Sequence, residues 1–402
     1  MNSFTQGRQR LAENKHHFTC SHKRPIIRAV FHFDPTIMSL AVVKPELYEQ
    51  QLAAKAEIIR ADFADFEIPE LELFRSKPKH YRMRAEFRVW HEKDRSYYRM
   101  FDPDTKQPFE VTSFPSGSET INRLMAPLLE RISKCEPLRK QLFQMEFLTT
   151  QTGEALVTLI YHRQLDNQWK TAALNLQNQF DISIIGRARK QKRVLNRDYV
   201  TETLSVKNRA FKYTQVENSF TQPNAGVNES MLTWASNACE VIRTRQGGDL
   251  LELYCGNGNF TCVLAGHFEK VLATEISKTS VHSARENFTL NGVNNIEIAR
   301  LSSEEFTQAL NRERLFQRLS EIDLDSYHFS TVLVDPPRAG LDESTEKLVG
   351  QFGHILYISC NPTTLKNNLS NICQTHRIEC IALFDQFPYT HHAEMGVHLI
   401  RK

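Results

Sequence analysis

The sequence DLLELYCGNGNFT, residues 249–261, decides the fold of the second half of the chain. An apolar run with strand character ends in a turn that contains Gly256 and Gly258, and small and apolar residues follow as at a helix start. The stretch predicts a strand, a glycine-rich turn and a helix. Glycine allows a nucleotide-like ligand to lie close to the backbone, because it tolerates positive φ and has no side chain. Most glycine pairs form ordinary tight turns, so the turn alone does not identify a ligand.

An acidic residue further along the chain supports the nucleotide interpretation. Glu275 closes the next apolar run, residues 271–274, about 20 residues after the first glycine. Nucleotide-binding folds place an acid at this distance, where it binds ribose hydroxyls. The two features together predict that a nucleoside-containing ligand lies against this turn.

From residue 215 onward, apolar runs alternate with amphipathic stretches, a pattern typical of strands that alternate with helices. The apolar runs are 250–254, 271–274, 296–301, 331–334, 355–359, 378–384 and 397–400, and the amphipathic stretches include 231–241 and 281–290. This order predicts an α/β domain over residues 215–402. Its sheet is expected to be mainly parallel, with the ligand at the carboxyl ends of the strands.

The first half of the chain has a different pattern. Helical spacing of apolar residues covers 45–66, and residues 82–90 alternate apolar and charged side chains as in a half-buried strand. Further strands are expected at 97–101, 110–111, 146–149 and 155–161, the last two as a hairpin, with a helix at 121–142 between the two groups. These elements predict an antiparallel α+β domain over residues 38–214.

Two basic clusters lie in this first domain, within residues 77–88 and 187–193. Either one alone is best explained as a solvated sheet face. Two clusters with aromatic neighbours suit an RNA or DNA backbone, because cations position the phosphates and aromatic rings stack on bases. We therefore predict that residues 38–214 bind nucleic acid.

Composition excludes several classes of protein. The 402 residues are 41% hydrophobic and 24% charged, and no run approaches the roughly 18 apolar residues of a membrane span. The 8 cysteines are scattered, which predicts a reducing, cytoplasmic location without disulfides. The net positive charge of the chain comes from residues 1–37, which we interpret as a flexible tail. Met38 opens a more regular stretch, which raises the hypothesis that translation begins there.

Two side chains that could take part in a reaction follow neighbouring predicted strands. Asp335 follows the run 331–334 and precedes two prolines, which restrict the backbone and hold Asp335 at the edge of the sheet. Cys360 follows the run 355–359 and precedes Asn361 and Pro362. Most single cysteines are small buried apolar residues, but a position before a helix start favours the thiolate. Cys360 is therefore the candidate nucleophile.

A third polar segment, residues 387–394, lies between the last two predicted strands. It contains His391, His392 and Glu394. Adjacent histidines seldom bind the same ion, and the sequence has no matching set of cysteines and histidines, so no metal site is expected. We interpret Glu394 as a general base.

These motifs resemble those of the bacterial tRNA (uracil-5-)-methyltransferases, which are RNA 5-methyluridine methyltransferases. The matching segments are YRMRAEFR (81–88), NSFTQPN (218–224), ELYCGNGNF (252–260), VDPPRAGL (334–341), ISCNP (358–362) and DQFPYTHHAE (385–394). The resemblance runs from about residue 48 to the C-terminus and does not cover the tail. It implies a Rossmann-like class I methyltransferase domain after an RNA-binding domain, with S-adenosyl-L-methionine as methyl donor and the T-loop uridine of tRNA, position 54, as the target.

The resemblance also assigns roles to single residues. It implies that the donor is held by Gln222, Tyr254, Asn259, Glu275 and Asp335. Cys360 would attack C6 of uracil, and Glu394 would accept the proton from C5. Since this donor has no phosphate, Gly256 and Gly258 are expected to leave room for its methionine part, with Glu275 on the ribose.

Other interpretations stay open. The related rRNA uridine methyltransferases usually have four spaced cysteines for an iron–sulfur cluster, whereas Cys135 is the one cysteine between residues 21 and 238. No such cluster is therefore expected in the first domain, and tRNA, or a tRNA-like RNA, is favoured over rRNA. The remaining alternatives are an RNA-folding module with incidental methylation and an N-methyltransferase, which needs no thiol. A monomer without an obligate protein partner is expected.

Overall fold

The computed structural model describes residues 43–102, 105–245 and 247–402. The predicted tail and the hypothetical start at Met38 lie outside the described residues. The described residues belong to one compact unit, Pro35–Lys402. The predicted division of this unit at residues 214 and 215 stays a prediction.

Strands and helices make up most of the described residues. The strands are β1 (Leu71–Phe74), β2 (Arg84–Glu92), β3 (Arg95–Phe101), β4 (Pro108–Val111), β5 (Leu142–Thr149), β6 (Ala155–Tyr161), β7 (Ser183–Ala188), β8 (Gln191–Val194), β9 (Tyr199–Val206), β10 (Arg209–Val216), β11 (Asp249–Leu253), β12 (Val271–Thr274), β13 (Ile296–Ala299), β14 (Phe329–Val334), β15 (His354–Ser359), β16 (His376–Phe384) and β17 (Glu394–Arg401). The helices are α1 (Tyr48–Asp62), α2 (Glu119–Ser133), α3 (Glu136–Arg139), α4 (Asn167–Phe180), α5 (Ala225–Arg245), α6 (Asn259–Leu264), α7 (Lys278–Leu290), α8 (Ser303–Leu310), α9 (Glu343–Val349) and α10 (Pro362–Ile372). None of these described helices has both the length and the apolar character needed to cross a membrane.

The second half of the chain forms most of an eight-stranded sheet with the order β1-β16-β17-β15-β14-β11-β12-β13. Strands β13, β12, β11, β14 and β15 are parallel to one another, and β17 is antiparallel to both β15 and β16. The parallel strands β11, β12 and β15 are buried along their whole length, as expected where helices cover both faces. The predicted α/β class with a mainly parallel sheet is confirmed.

A strand from the first half of the chain completes this sheet. Strand β1 pairs in parallel with β16, from Leu71 opposite Ile381 to Phe74 opposite Phe384. Helix α1 buries one apolar stripe in the same core as the strands β15 and β16. Residues 48–74 therefore pack with the second half of the chain, although their sequence pattern groups them with the first.

Strands β2 to β8 of the first half form a seven-stranded sheet with the order β4-β3-β2-β5-β6-β7-β8, and β9 and β10 form a separate antiparallel pair. Strand β6 is parallel to β7, and the other neighbours are antiparallel. Helices α2 and α4 pack with one face of the sheet, where Ala85, Phe87 and Val89 of β2 are buried. The predicted alternation along β2 and the predicted β5–β6 hairpin are both confirmed.

The predicted helix over residues 121–142 is wrong at its C-terminal end. Helix α2 ends at Ser133, the single turn α3 follows, and β5 begins at Leu142. The helix is interrupted at Cys135, whose backbone is extended, and Pro137 lies in the first turn of α3, where its missing N–H group breaks no helical bond. Gln141 then has φ of 55°, which turns the chain into the strand.

Candidate active site

A cleft of about 1040 Å³ lies at the carboxyl ends of the parallel strands β11, β12, β14 and β15. The loops that follow these strands converge there because parallel strands end at the same edge of a sheet. The cleft is lined by every residue predicted to bind the donor or to take part in the chemistry, namely Gln222, Tyr254, Asn259, Glu275, Asp335, Cys360 and Glu394. The structure thus brings together residues that lie up to 172 positions apart in the sequence.

The turn between β11 and α6 has left-handed backbone at three positions: Tyr254 with φ of 63°, Gly256 with 57° and Gly258 with 79°. A Cβ atom on Gly258 would lie 2.6 Å from Cε1 of Phe288 in α7, whereas one on Gly256 would meet no atom within 4 Å. Gly258 is thus explained by close helix packing. Of the two glycines, only Gly256 leaves the open space that the sequence interpretation expected of both.

Glu275 follows β12 and is oriented by the backbone around it. Its carboxylate accepts hydrogen bonds from the N–H of Gly256, at 3.1 Å, and from the N–H of Ser277, at 2.7 Å. The next residue, Ile276, is 66% exposed and also lines the cleft. A fixed carboxylate beside an exposed apolar side chain suits a nucleoside, which combines ribose hydroxyls with a flat base.

The other polar residues of the cleft wall are held by side-chain hydrogen bonds. Asn259 exchanges two bonds with Asn228, at 2.9 and 3.0 Å. The Tyr254 hydroxyl lies 2.6 Å from Oγ of Ser303, and Gln222 accepts a bond of 2.6 Å from Nε2 of Gln386. These bonds preorganise the side chains at the wall.

Three carboxyl groups line the cleft where negative charge is costly. Burial raises the pKa of Asp335 to about 7 and that of Glu252 to about 8. Burial, followed by the negative charge of Asp335, raises the pKa of Glu394, and Arg338 opposes this shift. Oε2 of Glu252 also lacks a hydrogen-bond partner among the described residues. A cation in the cleft would favour the ionised form of all three groups.

Cys360 lies between β15 and α10, directly before Asn361, whose side chain caps the helix by accepting a bond of 3.2 Å from Thr363 N–H. Burial raises the pKa of the Cys360 thiol, and the charges of Glu394 and Asp335 raise it further. The guanidinium of Arg338 opposes both by its charge and by a hydrogen bond. Burial and the two acids thus disfavour the thiolate that the sequence predicts, and Arg338 is the group that favours it.

Glu394 begins β17 and follows a loop, residues 385–393, that is fixed from the first half of the chain. Nζ of Lys55 in α1 forms an ion pair of 2.7 Å with Asp385, and Gln51 donates to the same carboxylate at 2.9 Å. The Tyr389 hydroxyl donates to the carbonyl of Pro78 at 2.9 Å. Sequence reasoning missed Lys55 and Gln51, since no local pattern relates residues 330 positions apart.

The arginines of the basic strand predicted to contact RNA differ in their partners. Arg84 donates to the carbonyl of Ser219 at 2.6 Å, and Arg82 donates to the carbonyl of Arg84, so both are engaged within the protein. The guanidinium of Arg88 lies 3.9 Å from the ring centre of Phe143, which stacks on His162 at 4.1 Å. The outward face of the sheet thus presents a cation stacked on aromatic rings.

The second basic cluster is less available than its sequence indicates. Arg187 forms two hydrogen bonds with the carboxylate of Glu217, at 2.6 and 2.5 Å. Lys192 lies 2.8 Å from Asp198 and 3.4 Å from the same glutamate. These acids neutralise Arg187 and Lys192, whereas Arg189 and Lys190 of the same cluster are exposed.

Comparison with known families agrees with the architecture of the cleft. The family model described as tRNA (Uracil-5-)-methyltransferase matches residues 47–402. The chain belongs to this family. The family predicted from the motifs is therefore confirmed, and the match begins one residue before α1.

Individual relatives match over nearly their whole length. The chain is 55% identical to a tRNA/tmRNA (uracil-C(5))-methyltransferase of Cellvibrio japonicus over 356 residues, 88% of this chain and 96% of the relative. It is also 55% identical to the protein of that name from Psychromonas ingrahamii over 369 residues, 91% of this chain and 100% of the relative.

A solved structure shows the same fold. It is the tRNA (uracil-54, C5)-methyltransferase of Pyrococcus abyssi in complex with S-adenosyl-L-homocysteine. The superposition has a TM-score of 0.66 at 22% identity and covers 88% of this chain and 83% of that chain. The predicted Rossmann-like methyltransferase fold is confirmed by this likeness.

Proposed function

We propose that this protein transfers a methyl group from S-adenosyl-L-methionine to C5 of uridine 54 in the T-loop of tRNA, giving 5-methyluridine. The observation that supports this most directly is the meeting of Cys360 and Glu394 with the five predicted donor-binding residues in one cleft. The names of the relatives agree with uracil C5 as the target and with tRNA, or tmRNA, as the RNA.

The cleft fits a sulfonium donor by its chemistry. Three carboxyl groups with raised pKa values line the cleft, Glu252, Asp335 and Glu394. A positive charge beside them would lower these pKa values and favour the carboxylates. Glu275 would bind the ribose, and the open space at Gly256 would take the methionine part. When bound, the donor supplies an electrophilic methyl group, and the same positive charge favours the thiolate of Cys360.

The protein's own groups solve a problem of reactivity, since C5 of uracil is a poor nucleophile. Attack of the Cys360 thiolate on C6 forms an S–C6 bond and leaves C5 with enolate character, so that C5 can accept the methyl group. Glu394 then removes the C5 proton. The electron pair of the C5–H bond forms the C5–C6 double bond, and the S–C6 pair leaves with the thiolate.

The target base must leave its stack to enter the cleft. The outward face of the seven-stranded sheet supports this step, because Arg88, Phe143 and His162 form a stacked group there. A cation on aromatic rings suits unstacked RNA bases and their phosphates. On this view Arg88 contacts RNA, while Arg84 shapes the cleft through its bond to Ser219 and Arg82 supports Arg84.

The carboxyl groups predict how donor binding depends on pH. Below about pH 7, Asp335 and Glu252 are mainly protonated in the free protein, so binding a cation also requires their ionisation. Affinity for S-adenosyl-L-methionine should therefore rise between about pH 6 and pH 8.5, relative to S-adenosyl-L-homocysteine, whose sulfur is neutral. Calorimetric titration of both ligands at several pH values measures this ratio. A ratio that stays constant across this range would contradict the role assigned to the carboxyls.

Methyl transfer onto defined RNAs tests the function itself. The full chain is incubated with methyl-labelled donor and, side by side, unmodified tRNA and rRNA transcripts, and the labelled nucleotide is mapped. We expect label in 5-methyluridine at position 54 of tRNA and none in a tRNA in which uridine 54 is replaced by cytidine. Label confined to rRNA, or found on a base nitrogen, would contradict the proposal and favour one of the alternatives.

A further inference from the structure

The loop that precedes the candidate base is held by a buried ion pair from a distant part of the chain. The Lys55 and Asp385 side chains are 8% and 0% exposed, and their charged atoms are 2.7 Å apart. Nζ of Lys55 also donates to the carbonyl of Phe387 at 3.1 Å and to the carbonyl of His392 at 3.0 Å. One ammonium group thus uses all three of its donors on the loop 385–393.

Two further residues, Gln51 of the same helix and Tyr81 before β2, form hydrogen bonds with this loop. Gln51, one helical turn before Lys55, donates to Asp385 at 2.9 Å and accepts a bond of 3.3 Å from Tyr389 N–H. The Tyr81 hydroxyl donates to the carbonyl of Pro388 at 3.3 Å. The loop is therefore bonded along its length to residues that precede the seven-stranded sheet.

The geometry of the sheet makes this loop decisive for Glu394. Strands β16 and β17 pair in an antiparallel register that sets Phe384 opposite Glu394. The loop 385–393 closes this hairpin, and Lys55 bonds both near its start, at Asp385, and near its end, at His392. His392 also lies 3.4 Å from the Arg338 guanidinium through its Nδ1 atom. A shift of the loop would therefore move Glu394 and disturb the group that favours the thiolate.

We propose that Lys55, together with Asp385, is a positioning residue for Glu394, and that helix α1 thereby takes part in the release of product. The proposal rests on the proposed function, because it concerns the step in which Glu394 removes the C5 proton and the S–C6 bond breaks. Loss of the pair should slow this step more than the attack of Cys360, since Cys360 is held by β15 and the cap of α10.

Energetic considerations make a purely stabilising role a poor explanation. The free energy lost when two charges are removed from water is about as large as the free energy of their mutual attraction. A buried ion pair is therefore weak evidence for stability. Burial lowers the pKa of Lys55, and Asp385 opposes this shift. A neutral apolar pair could fill the same space, but it could not bond the two carbonyls of the loop.

The variant for the test removes both charges at once. Lys55→Met alone would leave Asp385 charged and unpaired in the core, which is strongly destabilising; Lys55→Met/Asp385→Asn avoids this and still lets Gln51 donate to residue 385. The matched control is Lys366→Met/Asp65→Asn, which removes an exposed ion pair of 2.9 Å between the first and second halves of the chain. Exposed pairs of this kind contribute little.

The readout is the covalent intermediate. Full chains are incubated with unmodified tRNA and methyl-labelled donor, free product is measured, and labelled protein–RNA adduct is resolved on a denaturing gel. For the Lys55 and Asp385 double variant we expect product release to fall about 10- to 100-fold, labelled adduct to accumulate, and KM for the donor to stay unchanged. The control pair should behave as the unmodified chain.

The outcomes separate the two proposals. Turnover at the unmodified rate, or a fall in adduct formation that matches the fall in product, would overturn the positioning role. A Glu394→Gln variant is run in parallel to test the reaction scheme. If Glu394→Gln forms no labelled adduct, the covalent scheme of the proposed function is wrong. If Glu394→Gln forms labelled adduct but the double variant does not, only the role proposed for Lys55 is contradicted.

Discussion

Cys360→Ala is expected to abolish methyl transfer, by about 10⁴-fold or more, while RNA and donor affinities remain near normal. The reason is chemical, because without an S–C6 bond C5 never acquires enolate character. The thiol is half-buried at the end of β15 and lines the cleft, so its removal should leave the packing of the core unchanged. Single-turnover transfer from labelled donor and filter binding of tRNA measure the two quantities separately.

A matched control and a chemical trap sharpen this test. Cys373→Ala changes another half-buried cysteine, which follows α10 and does not line the cleft, and should leave transfer unchanged. A tRNA with 5-fluorouridine at position 54 should form a stable adduct with the unmodified chain, since fluorine cannot leave C5 as a proton does. Residual transfer by Cys360→Ala, or adduct without this thiol, would show that another route operates.

The sequence predicted the parts of the site that depend on local order. Asp335, Cys360 and Glu275 each follow a buried strand, and the carboxyl ends of parallel strands must meet at the same edge. Strand type and chain order therefore suffice to bring them together. The fold class, the hairpin β5–β6 and the alternation along β2 follow from periodicity in the same way.

These rules do not predict which distant segments of the chain pack together. Nothing in residues 48–74 shows that α1 and β1 pack with a sheet formed mainly by residues 249–401, because an amphipathic helix and a short strand fit either half equally well. The Lys55 and Asp385 pair depends on this packing and is invisible without it. The stacking of Arg88 on Phe143 depends on the neighbouring strand β5. The paired state of Arg187 depends on Glu217, which directly follows β10 of the separate two-stranded sheet.

The sign of the Cys360 pKa shift is the most instructive difference. Position before a helix predicted a favoured thiolate, but two acids beside the thiol, Glu394 and Asp335, act in the opposite direction together with burial. The proposed scheme reconciles the two, since a cationic donor would offset the acids only when it is bound. Binding of the methyl donor would then increase the fraction of Cys360 present as the reactive thiolate.

Glu394→Gln is expected to slow product release by about 10²- to 10⁴-fold and to accumulate a covalent adduct that carries the transferred methyl group. Glutamine has nearly the same shape as glutamate but cannot accept the proton, so attack and methyl transfer proceed and elimination stops. The site is 3% exposed, so bulk water is a poor substitute for the carboxylate. Denaturing gels of reactions with labelled donor, and rapid-quench measurement of one burst of transfer per enzyme, check both parts of the expectation.

The double variant Cys360→Ala/Glu394→Gln provides the control, because it should form no adduct at all. Removal of the Glu394 charge also withdraws one of the two acids that raise the pKa of Cys360, so the rate of adduct formation should reach its maximum at lower pH in Glu394→Gln than in the unmodified chain. If Glu394 served only to hold the donor, Glu394→Gln would instead bind the donor more weakly and form no adduct. Normal turnover by Glu394→Gln would instead assign the role of base to another carboxyl of the cleft, of which Asp335 is the one whose charge acts on Glu394.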